Sequence, residues 1–366
     1  MNSDSNEPEE NAEAADGAAA LKIDVTARST GTMIVPAARV VGYSMVALTM
    51  VFVINNYLNF WLDWPGVPML FADLGVFGTD ALAKPMESGA ATQSWLQFGL
   101  YLGTLGGVIV WVMKTPDNCM HDDGDRLSDF AAYFIRGCFW AVLLIGVADL
   151  LISFLRVENF LEGIVGKQMA QDLGRSSFRG EVVHYPLIVM SFIIAYFVRS
   201  VGFTWLALLI VVAEIQIVIA RFVFSYEQAF MADLVRFWYG ALFLFASPYT
   251  LLHEGHVRVD ILYAGFTERG KAWTNTLGSL FLGMPLCWIV LTQGMWGKFS
   301  VINGQLLTFE VTQAGYGLYV KYWLAAFLLV FAVSMMFQFV AYFLNSVAVL
   351  MRGPGYHPDT AEPAHF

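Results

Sequence analysis

The chain of 366 residues is 57% hydrophobic and only 14% charged, against roughly 45–50% and 25% in soluble domains, which excludes an ordinary globular protein. Its formal charge of −10 does not point to a nucleic acid or a cationic ligand. Residues 1–37 hold seven acids and two bases, so half of the excess sits in one tail.

That tail is rich in Glu, Ala, Ser and Gly, and almost nothing before Met33 can be buried, so it is expected to be a disordered acidic segment. It starts acidic and has no short apolar run, the opposite of a secretory signal. Cys119, Cys138 and Cys287 are scattered, without the paired spacing of a disulfide framework or a zinc site.

A bilayer core of about 30 Å needs about 20 apolar residues of helix. Eight runs qualify, at about 38–62, 95–113, 130–154, 182–198, 203–222, 232–252, 272–296 and 318–350. The fold class is therefore all-α, a polytopic membrane protein of about eight transmembrane helices. Lys and Arg favour cytoplasmic loops, and with both termini inside they divide eleven to nine in favour of that side. Both termini are expected in the cytoplasm.

In chain order, residues 38–199 form an N-terminal membrane extension of about four helices with sizeable loops. In its second span Gly99, Gly103 and Gly107 recur every four residues and make a smooth stripe for close helix approach. Its expected neighbour is another span of the same chain. The loop Cys119, His121, Asp122, Asp123 and Asp125 lacks calcium-loop spacing and reads as a solvated acidic turn. Asp149 lies toward the outer end of the third span. No internal repeat is visible, which disfavours an inverted-repeat transporter made of this chain alone.

Residues 200–350 form four further spans. Glu214 lies about 16 Å along the fifth, near mid-membrane, where an acid is a functional suspect by default; a structural hydrogen bond to a neighbouring helix is the favoured alternative. Past the sixth span, Val259, Leu262, Tyr263 and Phe266 fall at helical spacing among Arg258, Asp260 and Glu268. They predict a short interfacial helix over 257–268. His253-Glu254-Gly255-His256 lacks the spacing of a zinc-binding helix, so no metal is expected there. Residues 351–366 are a tail.

The residues Arg221-Phe222-Val223-Phe224, Glu227, Arg236-Phe237-Trp238 and, above all, His256-Val257-Arg258-Val259-Asp260-Ile261 resemble the Q-type small subunit of tripartite ATP-independent periplasmic (TRAP) transporters. Arg269, Lys271-Ala272-Trp273, Ser300 and Gln338 continue the resemblance, which covers roughly residues 200–350. It implies a multi-pass protein of the bacterial inner membrane, neither an enzyme nor a cofactor binder, that holds neither substrate nor metal. It also implies two protein partners, a large M-type permease subunit and a periplasmic substrate-binding protein. The small subunit would brace the first and help dock the second during sodium-coupled uptake of organic, carboxylate-bearing solutes. His256, Arg258, Asp260, Arg221, Glu227 and Arg236 become its candidate contacts with those partners or with membrane lipid. The added residues 1–199 depart from the family pattern.

Two other readings stay open. One is a structural or assembly subunit of another membrane complex. The other, ranked below it, is a haem- or quinone-binding redox subunit, which needs two histidines at matched depth in facing spans; His184 and His253 lie at span ends.

Overall fold

The computed structural model describes residues 33–76, 85–199, 203–226, 229–252, 263–311 and 317–351. Eight helices in it are long and apolar enough to cross a membrane. They are α1 (Ile34–Trp61), α3 (Ser88–Lys114), α4 (Met120–Val157), α7 (Ser176–Phe197), α8 (Phe203–Phe224), α9 (Ala229–Leu252), α10 (Glu268–Met295) and α12 (Lys321–Met351). Short helices join them: α2 (Gly66–Leu74), α5 (Leu161–Val165), α6 (Lys167–Asp172) and α11 (Val301–Thr308). No strand occurs among the described residues. In hydrocarbon every backbone N–H and C=O must be satisfied internally, and these apolar runs do so by coiling.

Two spans carry a wide, π-type turn, at Gly180–His184 in α7 and at Ser279–Gly283 in α10. Pro186 and Pro285 follow directly. A proline lacks the N–H for the helical ladder and crowds the carbonyl one turn back, and a widened turn relieves both.

The bundle is built on α12, which packs against α1, α4, α9, α10 and α11. Its inward side chains, among them Met336, Val340, Ala341 and Leu344, form one core with Val46 of α1, Ala131 of α4 and Met284 of α10. A second core joins Ile135, Phe139 and Val142 of α4 to Leu234, Phe237 and Phe245 of α9 and to Phe327 of α12. The boundary near residue 200 is thus one of sequence, while in space α1 and α4 lean directly on the last span. Ser128 of α4 donates to Gln338 Oε1 of α12 at 3.1 Å, and His121 meets Asn345 at 2.9 Å.

Helix α4 begins ten residues before the expected start at 130. The segment around residues 119–125 is therefore the first turns of a helix and not a solvated turn. Asp123 is fully buried there, against Arg39 of α1, whose Nε donates to Asp123 Oδ2 at 2.6 Å. The Arg39 guanidinium also donates to Thr115 O and Oγ1 at 2.6 and 3.0 Å, which ties α1, the end of α3 and the start of α4 together.

The crossing of α4 and α9 depends on Gly146. A Cβ there would lie 2.5 Å from Trp238 Nε1 and 3.2 Å from Leu234 Cδ1. Gly146→Leu is expected to destabilise the detergent-purified chain by about 1–3 kcal/mol, as overpacked cores do. Gly99→Leu, on a face with nothing within 4 Å, should leave the unfolding midpoint unchanged; equal midpoints for both variants would refute the crossing.

Candidate functional site

Where the polypeptide enters α12, two consecutive backbone N–H groups are taken by carboxylates from different parts of the chain. Leu318 N–H donates to Asp233 Oδ2 of α9 at 3.1 Å, and Tyr319 N–H donates to Asp149 Oδ2 of α4 at 2.6 Å. Two acids at a helix N-terminus complement its positive dipole end. Asp149 is completely buried, and its other oxygen accepts from Arg179 Nη1 at 2.9 Å and from His184 Nε2 at 3.2 Å.

The remaining donors of this cluster are also used. Arg179 Nε and Nη2 donate to Leu173 O at 2.9 and 2.7 Å, and its guanidinium carbon sits 4.1 Å from the centroid of the Tyr319 ring. His184 Nδ1 lies 2.6 Å from the Tyr322 hydroxyl and 3.1 Å from Trp323 Nε1. An indole N–H can only donate, so Nδ1 accepts and Nε2 carries the proton given to Asp149. Tyr319 Oη donates to Gly174 O at 2.9 Å and receives Arg156 Nη1 at 2.7 Å. Charges and hydrogen bonds are matched within the cluster, which leaves no open ligand position; it is a latch between the extension and the last span. Both nitrogens of His184 are engaged, so it offers none to a haem iron.

Asp149 was legible as a polar residue in a span, but its partners were not. Arg179 reads as a loop residue and His184 as a span end, because hydropathy carries no record of which buried acid they meet. The helical spacing of Asp149 and Ser153, with a basic residue just before an apolar run, was the available signal.

The other predicted residues are dispersed. Glu214 faces outward from α8 and is exposed, with no partner among the described residues. The expected hydrogen bond to a neighbouring helix is not formed. The inward face of α8 is made by Leu206, Ile210 and Ala213, and the residue after Ala213 is turned about 100° away from it. Arg221 is also exposed. Arg236 is exposed and lies 3.6 Å from Asp233. Gly99, Gly103 and Gly107 have nothing within 4 Å of an added Cβ. They do not pack on another span of the chain, because α3 rests on α1 and α2 by its opposite face, where Ser94, Gln97 and Val112 are buried. Glu227, His256, Arg258 and Asp260 lie outside the described residues. The interfacial helix expected over 257–268 does so up to residue 262; Tyr263–Phe266 are turns, and Thr267 caps α10 by accepting from Gly270 N–H at 3.3 Å.

Residues 207–349 match the family model of the DctQ component of tripartite ATP-independent periplasmic transporters. That segment runs from α8 to α12 and takes in four of the spans. This part of the chain belongs to the DctQ family. No curated protein and no solved structure matched the chain. The DctQ unit is a transporter component, not a member of an enzyme family, and it places the chain in a multi-subunit TRAP complex. The extension contributes Asp149, Arg179 and His184 to the latch, and the DctQ unit contributes Tyr319, Tyr322 and Trp323.

Proposed function

We propose that the chain is the small membrane subunit of a sodium-coupled TRAP transporter in the bacterial inner membrane, with both termini in the cytoplasm. It braces the large M-type permease subunit and helps the periplasmic binding protein dock during uptake of organic carboxylates. It binds neither solute nor sodium itself; its contribution is a bundle that offers the exposed face of α8 to its partner. The DctQ match supports the subunit assignment, and the exposure of Glu214 supports the bracing role.

Glu214 lies eleven residues after Phe203 and ten before Phe224, at the middle of α8. An ionised side chain at the centre of a lipid-facing helix costs about 2.5–3.5 kcal/mol on insertion scales. A helix of the large subunit that brings a hydroxyl, an amide or a cation to this carboxylate removes much of that cost. The apolar side chains one turn to either side on the same face, Val211 and Val218, are exposed too and supply the rest of the surface.

The test is co-purification with a tagged large subunit. Glu214→Leu should lower recovery of the pair about ten-fold, equivalent to roughly 1.4 kcal/mol, without lowering the unfolding midpoint of the isolated chain. Glu214→Gln keeps an acceptor oxygen and should retain most of the recovery and of the uptake. Full recovery with leucine would show that α8 faces lipid there.

A further inference from the structure

Between α1, α3 and α4 lies a wide-open surface groove of about 490 Å³, lined by Tyr43, Thr104, Gly107, Val108, Trp111 and Arg126. We infer that it is a binding site for one anionic phospholipid, with the lipid phosphate on Arg126 and an acyl chain along the glycine face of α3. The site lies in the extension, outside the DctQ unit, and does not rest on the transport reading.

The frame of the groove is fixed by the Arg39, Asp123 and Thr115 cluster. Tyr43 stands one turn beyond Arg39, Arg126 one turn beyond Asp123, and Trp111 one turn before Thr115. The residues one turn from that cluster thus line the groove and present to it a cation, a phenol and an indole.

Arg126 is exposed, and among the described residues it has no ion pair, although Asp122 and Asp129 lie one turn to either side on α4. Asp123 is paired with Arg39, and Asp125 lies 3.7 Å from His121. Nothing described therefore occupies the guanidinium, whose planar fork suits a phosphate. The first turns of α4, His121-Asp122-Asp123-Gly124-Asp125-Arg126, are too polar for hydrocarbon and belong at headgroup level.

From there the groove runs into the membrane. Thr104 lies ten residues, about 15 Å, before the end of α3 at Lys114. Beside it Gly103, Gly106 and Gly107 leave a surface on which an added Cβ would meet nothing within 4 Å. Trp111 is 53% exposed at its rim, a usual position for an interfacial aromatic. A soluble phosphate would use only the Arg126 end, whereas a phospholipid uses the whole length, and basic pockets between membrane helices suit anionic headgroups.

Native mass spectrometry of the full chain in mild detergent tests this, with phosphatidylglycerol, phosphatidylcholine and inorganic phosphate each added at the same concentration. The wild type should hold one phosphatidylglycerol at activation energies that strip phosphatidylcholine. Arg126→Gln should cut that occupancy about five-fold, and Arg126→Lys should retain most of it. Gly107→Leu keeps the charge but fills the groove, and should cut occupancy as much. Arg269→Gln, which removes an exposed cation elsewhere, should change nothing. Equal retention of the two lipids, unchanged occupancy in Arg126→Gln and Gly107→Leu, or an equal loss in Arg269→Gln would each overturn the site. Displacement of phosphatidylglycerol by inorganic phosphate at equal concentration would overturn its assignment to a lipid.

Discussion

Asp149→Ala is expected to remove most of the folded protein recoverable from membranes in mild detergent. The change leaves the Arg179 guanidinium, His184 Nε2–H and the Tyr319 backbone N–H without their acceptor in a site where Asp149, Arg179 and His184 are completely buried. Breaking a buried ion pair on one side costs about 3–5 kcal/mol, a large share of the 5–15 kcal/mol that typically holds a protein folded. Asp149→Asn keeps an acceptor oxygen and should fall between the wild type and alanine. The double change Asp149→Leu with Arg179→Met removes both charges and should recover part of the loss, since a buried pair as a whole contributes little. The measurement is the fraction eluting as a single peak, together with its unfolding midpoint. If Asp149→Ala shifts stability by less than about 1 kcal/mol, the latch holds nothing together.

Removal of residues 1–199 should be as damaging. The DctQ unit would lose α1 and α4 from the flank of α12; with α4 go the partners of Tyr319 N–H, Gln338 and Asn345, and with α7 goes His184, the partner of Tyr322. Polar groups left facing hydrocarbon without partners cost several kcal/mol each. The shortened chain should be almost absent from the membrane fraction and sensitive to protease, and co-expression of residues 1–199 as a separate chain should restore it. Normal accumulation of the short chain alone would show that the extension is an appendage and not part of the core.

The sequence made the eight spans legible because the bilayer imposes one strong rule, about 20 apolar residues per crossing. It also made the DctQ unit legible, through short motifs such as Arg221-Phe222-Val223-Phe224 and Arg236-Phe237-Trp238. What stayed hidden was which faces meet. Asp123 looked like part of a wet loop because His121, Asp122 and Asp125 surround it, and only its pairing with Arg39, 84 residues earlier, draws it into the core. Gly99, Gly103 and Gly107 looked like a packing seam, since a smooth stripe invites a neighbour but does not say from which molecule. The position of Glu214 midway along α8 can be counted from sequence by helical rise, whereas its exposure depends on which residues the rest of the bundle covers.

The carboxylate hooks at the entrance to α12 bear on how the protein is made. Asp149 meets Arg179 and His184 within 35 residues, but it receives the Tyr319 N–H only 170 residues later. During synthesis the acid of the third span can therefore be neutralised early by its near neighbours, while its last acceptor site stays open until nearly the whole chain has emerged. Closure of the bundle then becomes a terminal event of biogenesis. A ribosome that stops before the last span would leave in the membrane a chain whose third helix still carries an unfilled acceptor.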